Sequence, residues 1–269
     1  PRVGVSAVQE SQIARARPGV VALSVDGTFD DCQALVKRAL ADAALQGRRP
    51  LLTANSINPV RLIAQVPFAY HVRRLVAAGA KVGIVVPSGN LGNVGAVQLA
   101  RRMGLPIEAL VAATNVNSPL PELFATGAYR PRRAQPTASN AMDIGAPNNL
   151  DRLLAWREGG PAVEAVTVDD ATTLDTMRRV RAATGYVLCP HSAVGWKAAE
   201  DLRARRPDLD QVVVFGTAHP AKFPDVLEQA FGDAQASVFP FALPPPAPLK
   251  VGNDFEAVRA VLESEAGFR

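Results

Sequence analysis

The sequence predicts an α/β protein built on a parallel sheet, and three observations carry that expectation. The chain has 269 residues, 48% of them apolar, enough for a sizeable core as one large domain or two smaller ones. Short Val- and Ile-rich runs alternate with amphipathic stretches across short turns, the pattern of consecutive βαβ units. The stretch Lys81–Gly104, KVGIVVPSGNLGNVGAVQLARRMG, reads as strand, Gly/Asn turn and helix, with Gly104 as the stop.

Taken in order, Arg2–Val5 reads as a strand end, and Ser6 with Gln9 as the capping box of a first helix. Val20–Val25 is a short strand, Asp26-Gly27 a turn, and Asp30–Leu45 a helix with Cys32, Leu35, Val36, Ala39 and Leu40 on one face. Thr53–Asn58 (TANSIN) is a polar turn. Pro59 opens a helix that continues past a kink at Pro67. After the Lys81–Gly104 unit, Pro106–Ala113 is a strand closing on the loop TNVN, and Leu120–Ala125 a short helix. Tyr129–Asn149 has few apolar repeats, as a surface excursion or a site-lining loop would. Helices follow over Leu150–Trp156 and Thr172–Ala183, then a strand at Tyr186–Cys189 and a helix over His191–Arg205. Gln211–Phe215 is the last core strand, and Pro224–Phe231 a helix. Phe239–Pro248 is Pro-rich and extended, and Asp254–Glu265 is a helix capped by Asn253.

Composition narrows the partners. The net charge is +4 and the sequence pI about 9.4. The arginines are scattered, with no basic run interleaved with aromatics, so nucleic acid is not expected as a ligand. A mild positive balance suits small anionic substrates. Cys32 and Cys189 provide neither a disulfide framework nor zinc spacing, and no metal is expected. A reducing, cytoplasmic setting fits, with no membrane span or secretory leader expected.

The turn Ser88–Asn93 (SGNLGN) gives the chain its first chemical hint. The first amides of a helix have no intrahelical acceptor, and the helix dipole favours negative charge there. Gly89 and Gly92 are expected to let the backbone approach a phosphate and to adopt positive φ. The turn is neither a P-loop nor GxGxxG. By residue type alone it is a phosphate cup for a ligand other than ATP or NAD, or an ordinary turn between strand and helix.

Several stretches together carry a family resemblance: SIN before a Pro-led helix, GNLGN after a strand, ATNVN, SNAMDI followed by PNNLDRLL, PHSAVG, and GTAHPAKF. In this order they resemble the threonine synthases, of the longer-chain subgroup, from Pro1 to about Phe231 and on toward the end. The resemblance implies the tryptophan synthase β-like fold of pyridoxal-phosphate (PLP) enzymes, a three-layer parallel-sheet domain beside a smaller α/β domain. It implies a remnant of the small domain over residues 1–52 and the large domain over 53–269. The implied reaction converts O-phosphohomoserine and water to threonine and phosphate. The implied cofactor contacts are Gly89, Asn90, Leu91, Gly92 and Asn93 around the phosphate, and Thr217 as the hydroxyl partner of the pyridine nitrogen.

One feature departs from the family. Its Schiff-base lysine lies in a Phe-Lys motif on a helix upstream of the matching region, and none of Lys37, Lys81, Lys197, Lys222 or Lys250 sits in such a motif. The chain is therefore expected to be a C-terminal portion, inactive alone and needing the rest of the same protein, with a homodimer possible through exposed apolar surface. Lys222 is a candidate substitute lysine or an anion contact. His219 and His191 are acid–base candidates by residue type or capping residues by position. Ser56, Asn58 and Asn115 are expected to border the cleft and orient substrate anions, with turn-forming hydrogen bonds as the alternative for Asn115. Asp143 carries no chemical assignment. Two other readings stay open: a non-catalytic phosphate-binding α/β module or half of a split enzyme, and a serine/threonine dehydratase or cysteine synthase relative, against which SNAMDI and GTAHPAKF argue.

Overall fold

The computed structural model describes residues 1, 2, 5, 7–14, 18–56, 58–238 and 247–264. Ser6 and most of Phe239–Pro248 therefore lie outside the described residues. Contacts divide the chain into two units, Pro1–Thr53 with Phe239–Arg269, and Ala54–Val238. The C-terminal segment, expected in the large domain, thus belongs with the first residues of the chain.

A strand pairing accounts for this. In the first unit β1 (Leu23–Val25) runs parallel to β6 (Leu249–Val251), with Leu23 opposite Leu249. Around them lie α1 (Ala7–Ile13), α2 (Phe29–Ala41), α3 (Ala43–Arg48) and α12 (Phe255–Glu263). Val25, Leu35, Ala39, Leu45, Phe255 and Val258 form the unit's core. The single helix expected over 30–45 breaks at Asp42. That residue takes an extended backbone, and its carboxylate accepts the Leu45 N–H at 2.9 Å to start α3. Asp254, not Asn253, caps α12 by accepting the Ala257 N–H at 3.0 Å.

The second unit is a three-layer domain on a parallel sheet of order β4-β3-β2-β5, made of β2 (Val82–Pro87), β3 (Ala109–Thr114), β4 (Glu164–Thr167) and β5 (Gln211–Val214). Side chains alternate across the sheet as the pleat requires. Val82, Ile84 and Val86 pack on one face with α5 (Val66–Leu75), α6 (Gly92–Arg102) and α8 (Leu150–Arg157). Val85, Val111 and Ala113 pack on the other with α10 (Pro190–Arg205), which lies beside α9 (Asp170–Thr184). Gly195 lets α10 approach closely, since a Cβ there would lie 2.7 Å from Pro87 Cγ and from Val214 Cγ1.

Three expectations change in this unit. The kink at Pro67 is a full break between α4 (Pro59–Ile63) and α5, with Pro67 in the first turn of the second helix. The strand expected at Tyr186–Cys189 does not form, because Cys189 caps α10 instead, its Sγ accepting the Ser192 N–H at 3.3 Å. Strand β4, which the sequence reading left out, pairs with β3 from Val111↔Glu164 to Thr114↔Thr167. Between α7 (Leu120–Thr126) and α8 the chain is irregular, as expected, apart from one 3-10 turn at Asn140–Met142. Among the described residues no helix is long and apolar enough to cross a membrane.

Candidate functional site

All four strands of the second unit run in the same direction, so the loops after β2, β3 and β5 leave the same edge of the sheet. Ligands in parallel sheets bind beyond that edge. The Ser88 N–H still donates to Ala113 O at 2.9 Å, and the Phe215 N–H to Val85 O at 3.0 Å. The cup after β2 and the Gly216-Thr217 segment after β5 therefore extend from neighbouring strands.

Within the cup, Leu91 is the N-cap of α6, with φ 59° and no side-chain cap. It is the only non-glycine with positive φ among the described residues, whereas Gly89 and Gly92 do not take positive φ. This corrects the expectation that the glycines would make the turn. A left-handed leucine costs about 1–2 kcal/mol. Burying its side chain, which is fully enclosed in the core, returns about 1.5–3 kcal/mol, so the strained turn holds. The first amides of α6 are left without a capping side chain.

The two glycines serve different ends. A Cβ on Gly89 would sit 2.9 Å from Met142 Cα and 3.2 Å from Ala141 O, so the SNAMDI segment lies directly on the cup. A Cβ on Gly92 would meet Asn149 Nδ2 at 3.8 Å and Ser56 Cβ at 3.9 Å, ordinary contacts on a more open side. Asn90 Oδ1 accepts the Asn148 N–H at 3.2 Å, and Asn149 Nδ2 donates to Asn90 O at 2.9 Å. Arg152 donates to Asn149 Oδ1 at 2.6 Å and to Ser56 O at 3.1 Å, which ties Ser56 to the same frame. Asn149 and Arg152 were missed as individuals, although PNNLDRLL contains both. Asn58 caps α4, its Oδ1 accepting the Val60 N–H at 3.0 Å.

Asn115 is buried, and its amide is engaged within the protein. It donates to Asp143 Oδ1 at 2.8 Å, Thr137 Oγ1 at 2.9 Å and Ser139 Oγ at 3.1 Å, and its Oδ1 accepts the Asn117 N–H at 3.1 Å. The turn-forming hydrogen bond expected as the alternative for Asn115 is thus present. Asp143 is the hub of this network. Its carboxylate also accepts from Asn117 Nδ2 at 2.9 Å, Thr137 Oγ1 at 2.6 Å and the Thr137 N–H at 3.0 Å. Burial raises its pKa despite these bonds. Asp143→Ala should strand these donors and cost about 2–4 kcal/mol in urea unfolding; a loss under about 1 kcal/mol would show that the hub is dispensable.

Thr217 is exposed beyond β5. His219 Nδ1 accepts the Ala221 N–H at 3.2 Å and caps the 3-10 turn Pro220–Lys222, so its capping role is the one seen. Of the lysines, Lys37 and Lys250 lie in the first unit, Lys81 precedes β2 at the opposite edge of the sheet, and Lys197 in α10 is paired with Asp201. Lys222 alone follows a strand of the second unit's sheet, and it forms no ion pair among the described residues. His191 is buried in the first turn of α10, its Nε2 accepting the Ala141 N–H at 3.2 Å. Burial first, and then the Lys222 charge, lower its pKa to about 4, so the ring is neutral at physiological pH.

The fold and the cup together define a three-layer α/β domain with an uncapped helix N-terminus poised for an anion at the carboxyl edge of its sheet. Residues 6–217 match the family described as pyridoxal-phosphate dependent enzyme, and the chain belongs to that family. Residues 192–261 match the threonine synthase C-terminal family. The chain is 38% identical to the threonine synthase of Escherichia coli over 87% of its own length and 55% of the relative's. For the threonine synthase of Pseudomonas aeruginosa the identity is 34%, over 89% and 57%. The chain thus spans about half the length of these curated relatives. Among solved structures, E. coli threonine synthase superposes with a TM-score of 0.85 at 34% identity, over 97% of this chain and 62% of that one. A structure titled as PLP-bound threonine synthase from Brucella melitensis gives 0.81 at 32% identity, over 97% and 63%.

Proposed function

We propose that this chain is the cofactor-holding part of a threonine synthase, acting with the remainder of the protein on O-phosphohomoserine and water to give threonine and phosphate. The observation that carries the reading is the cup itself: an uncapped helix N-terminus, held by a left-handed Leu91 against the carboxyl edge of a parallel sheet. The residues fit the coenzyme's phosphate. Gly92 leaves the backbone open on one side of the turn, a Cβ there meeting nothing closer than 3.8 Å, and the amides that follow have no capping side chain. The amides at the start of α6 would hold the phosphate, with Asn90 fixed from behind by Asn148 and Asn149. The Thr217 hydroxyl would pair with the pyridine nitrogen, and a neutral partner there does not enforce ring protonation. When bound, the coenzyme supplies the electron sink for proton removal at the substrate's α-carbon. Ser56, Asn58 and Lys222 would orient the substrate's anionic groups through charge-assisted hydrogen bonds.

The lysines limit what the chain does alone, since none stands in the family's Schiff-base motif. The purified chain is expected to bind pyridoxal phosphate reversibly, to take no covalent label on borohydride reduction, and to release no phosphate from O-phosphohomoserine above blank. Absence of pyridoxal phosphate binding by absorbance would overturn the cofactor assignment. Label on Lys222, or phosphate release by the chain alone, would overturn the assignment of the chemistry to a lysine elsewhere.

A further inference from the structure

Asn149 and Arg152 both stand where the chemistry of a helix start argues against their conformation or charge. Asn149 is the N-cap of α8, the position at which an asparagine side chain ordinarily accepts an amide of the first turn. It makes no such cap, and it is fully buried. Arg152 sits in the first turn of the same helix, where the positive end of the dipole disfavours a cation. Two local rules broken by a pair of residues in contact mark a constraint that lies outside the helix.

The hydrogen bonds show where that constraint lies. One nitrogen of the Arg152 guanidinium donates both to Asn149 Oδ1 at 2.6 Å and to Ser56 O at 3.1 Å. A guanidinium has donors only, so it can face only the oxygen end of the Asn149 amide. The nitrogen end is thereby turned the other way, and it donates to Asn90 O at 2.9 Å. The Asn90 side chain is held separately, its Oδ1 accepting the Asn148 N–H at 3.2 Å. The Asn90–Leu91 peptide is planar and trans, so once its oxygen is drawn to Asn149 its N–H points the opposite way. That peptide leads directly into the left-handed Leu91 and the uncapped amides of α6. Gly92 adjoins the same pair, a Cβ there lying 3.8 Å from Asn149 Nδ2 and 3.9 Å from Ser56 Cβ.

We infer that Arg152 is a positioning residue for the cup. By fixing the Asn149 amide it sets the tilt of the Asn90–Leu91 peptide, and so the direction of the amides that hold the coenzyme's phosphate. The inference deepens the proposed function and rests on it for the identity of the anion. Arg152 acts through Asn149, not through its charge on the phosphate.

The test uses the 269-residue chain and compares its affinity for pyridoxal phosphate with that for pyridoxal, which lacks the phosphate, both read by absorbance. Arg152→Met should weaken pyridoxal phosphate binding about tenfold or more and change pyridoxal binding less than about twofold, because only the phosphate uses the amides. Asn149→Ala should give a similar loss. The double variant should lose no more than either single one, since removing Arg152 then has nothing left to act through. Arg152→Lys, also a donor-only side chain but one atom shorter, should keep part of the affinity, and it carries the same comparison where Arg152→Met is too unstable to purify.

Additive losses in the double variant would show the charge reaching the phosphate directly and would overturn the inference. Equal weakening of the two ligands, or no weakening of either, would do the same. Proton–nitrogen spectra of the unliganded chain give a reading that needs no ligand. Arg152→Met should move the Leu91 amide and the Asn149 side-chain amide resonances, and unmoved resonances would rule the positioning role out. A wild-type chain that binds no pyridoxal phosphate would overturn the cofactor assignment and this inference together. Wild-type binding matched by all the variants would count against Arg152 alone.

Discussion

Gly89→Ala is expected to cost about 1–3 kcal/mol of stability and to lower pyridoxal phosphate affinity by an order of magnitude or more. The added methyl would stand 2.9 Å from Met142 Cα and 3.2 Å from Ala141 O, both backbone, so no side chain can swing aside to make room. Either the SNAMDI segment lifts or the cup shifts, and both alter the amides presented to the anion. Gly92→Ala is the matched control. Its methyl would meet only ordinary contacts, at 3.8 and 3.9 Å, and alanine in a helix's first turn is neutral or mildly stabilising for the fold. Urea unfolding of the two variants with absorbance titration of the cofactor checks the pair. Equal stability of the two variants would mean that the SNAMDI segment does not bear on Gly89.

Acidification from pH 6.5 to about 4 should remove up to about 3 kcal/mol of stability through His191 alone. Above pH 6.5 the imidazole is neutral whether the chain is folded or unfolded, and the residue contributes no pH dependence. Below it the unfolded chain takes up a proton that the buried ring refuses, so the unfolded state gains. The loss grows until the folded ring itself titrates near pH 4 and is constant below that. Asp143 works in the opposite direction, because its raised pKa means that the folded state takes up a proton before the unfolded one. Unfolding free energy measured across the window in wild type and His191→Phe separates the two. The variant should lose most of the downward slope, and an unchanged slope would place the acid sensitivity elsewhere.

Much of the site is legible because its chemistry is local in sequence. The SGNLGN turn between an apolar run and an amphipathic stretch reads as an anion cup or an ordinary turn, and the family resemblance favours the cup. That reading needs only the geometry of a helix N-terminus and the short reach of a turn. The division of labour inside the turn is not legible. Glycines are the residues one expects at positive φ, yet Leu91 takes it, because a fully enclosed leucine side chain outweighs the strain and nothing in the local sequence states that enclosure. The acceptor of Asn115 is likewise hidden, since its partner Asp143 lies 28 residues away across the irregular loop.

The chain by itself determined the alternation of strands and helices and the parallel sheet, which follow from periodicity and residue type over short spans, whereas the phosphate role of the turn and the expected lysine motif rest on the family resemblance. Only the tertiary structure decided that residues after Phe239 join the first unit through β1 and β6. It also set Asn115 in a buried hydrogen-bond network with Asp143 and left His191 Nδ1 buried without a partner among the described residues. Those outcomes depend on which groups meet across long separations, where burial sets the cost of each unpaired polar atom, and no short stretch of sequence encodes that meeting.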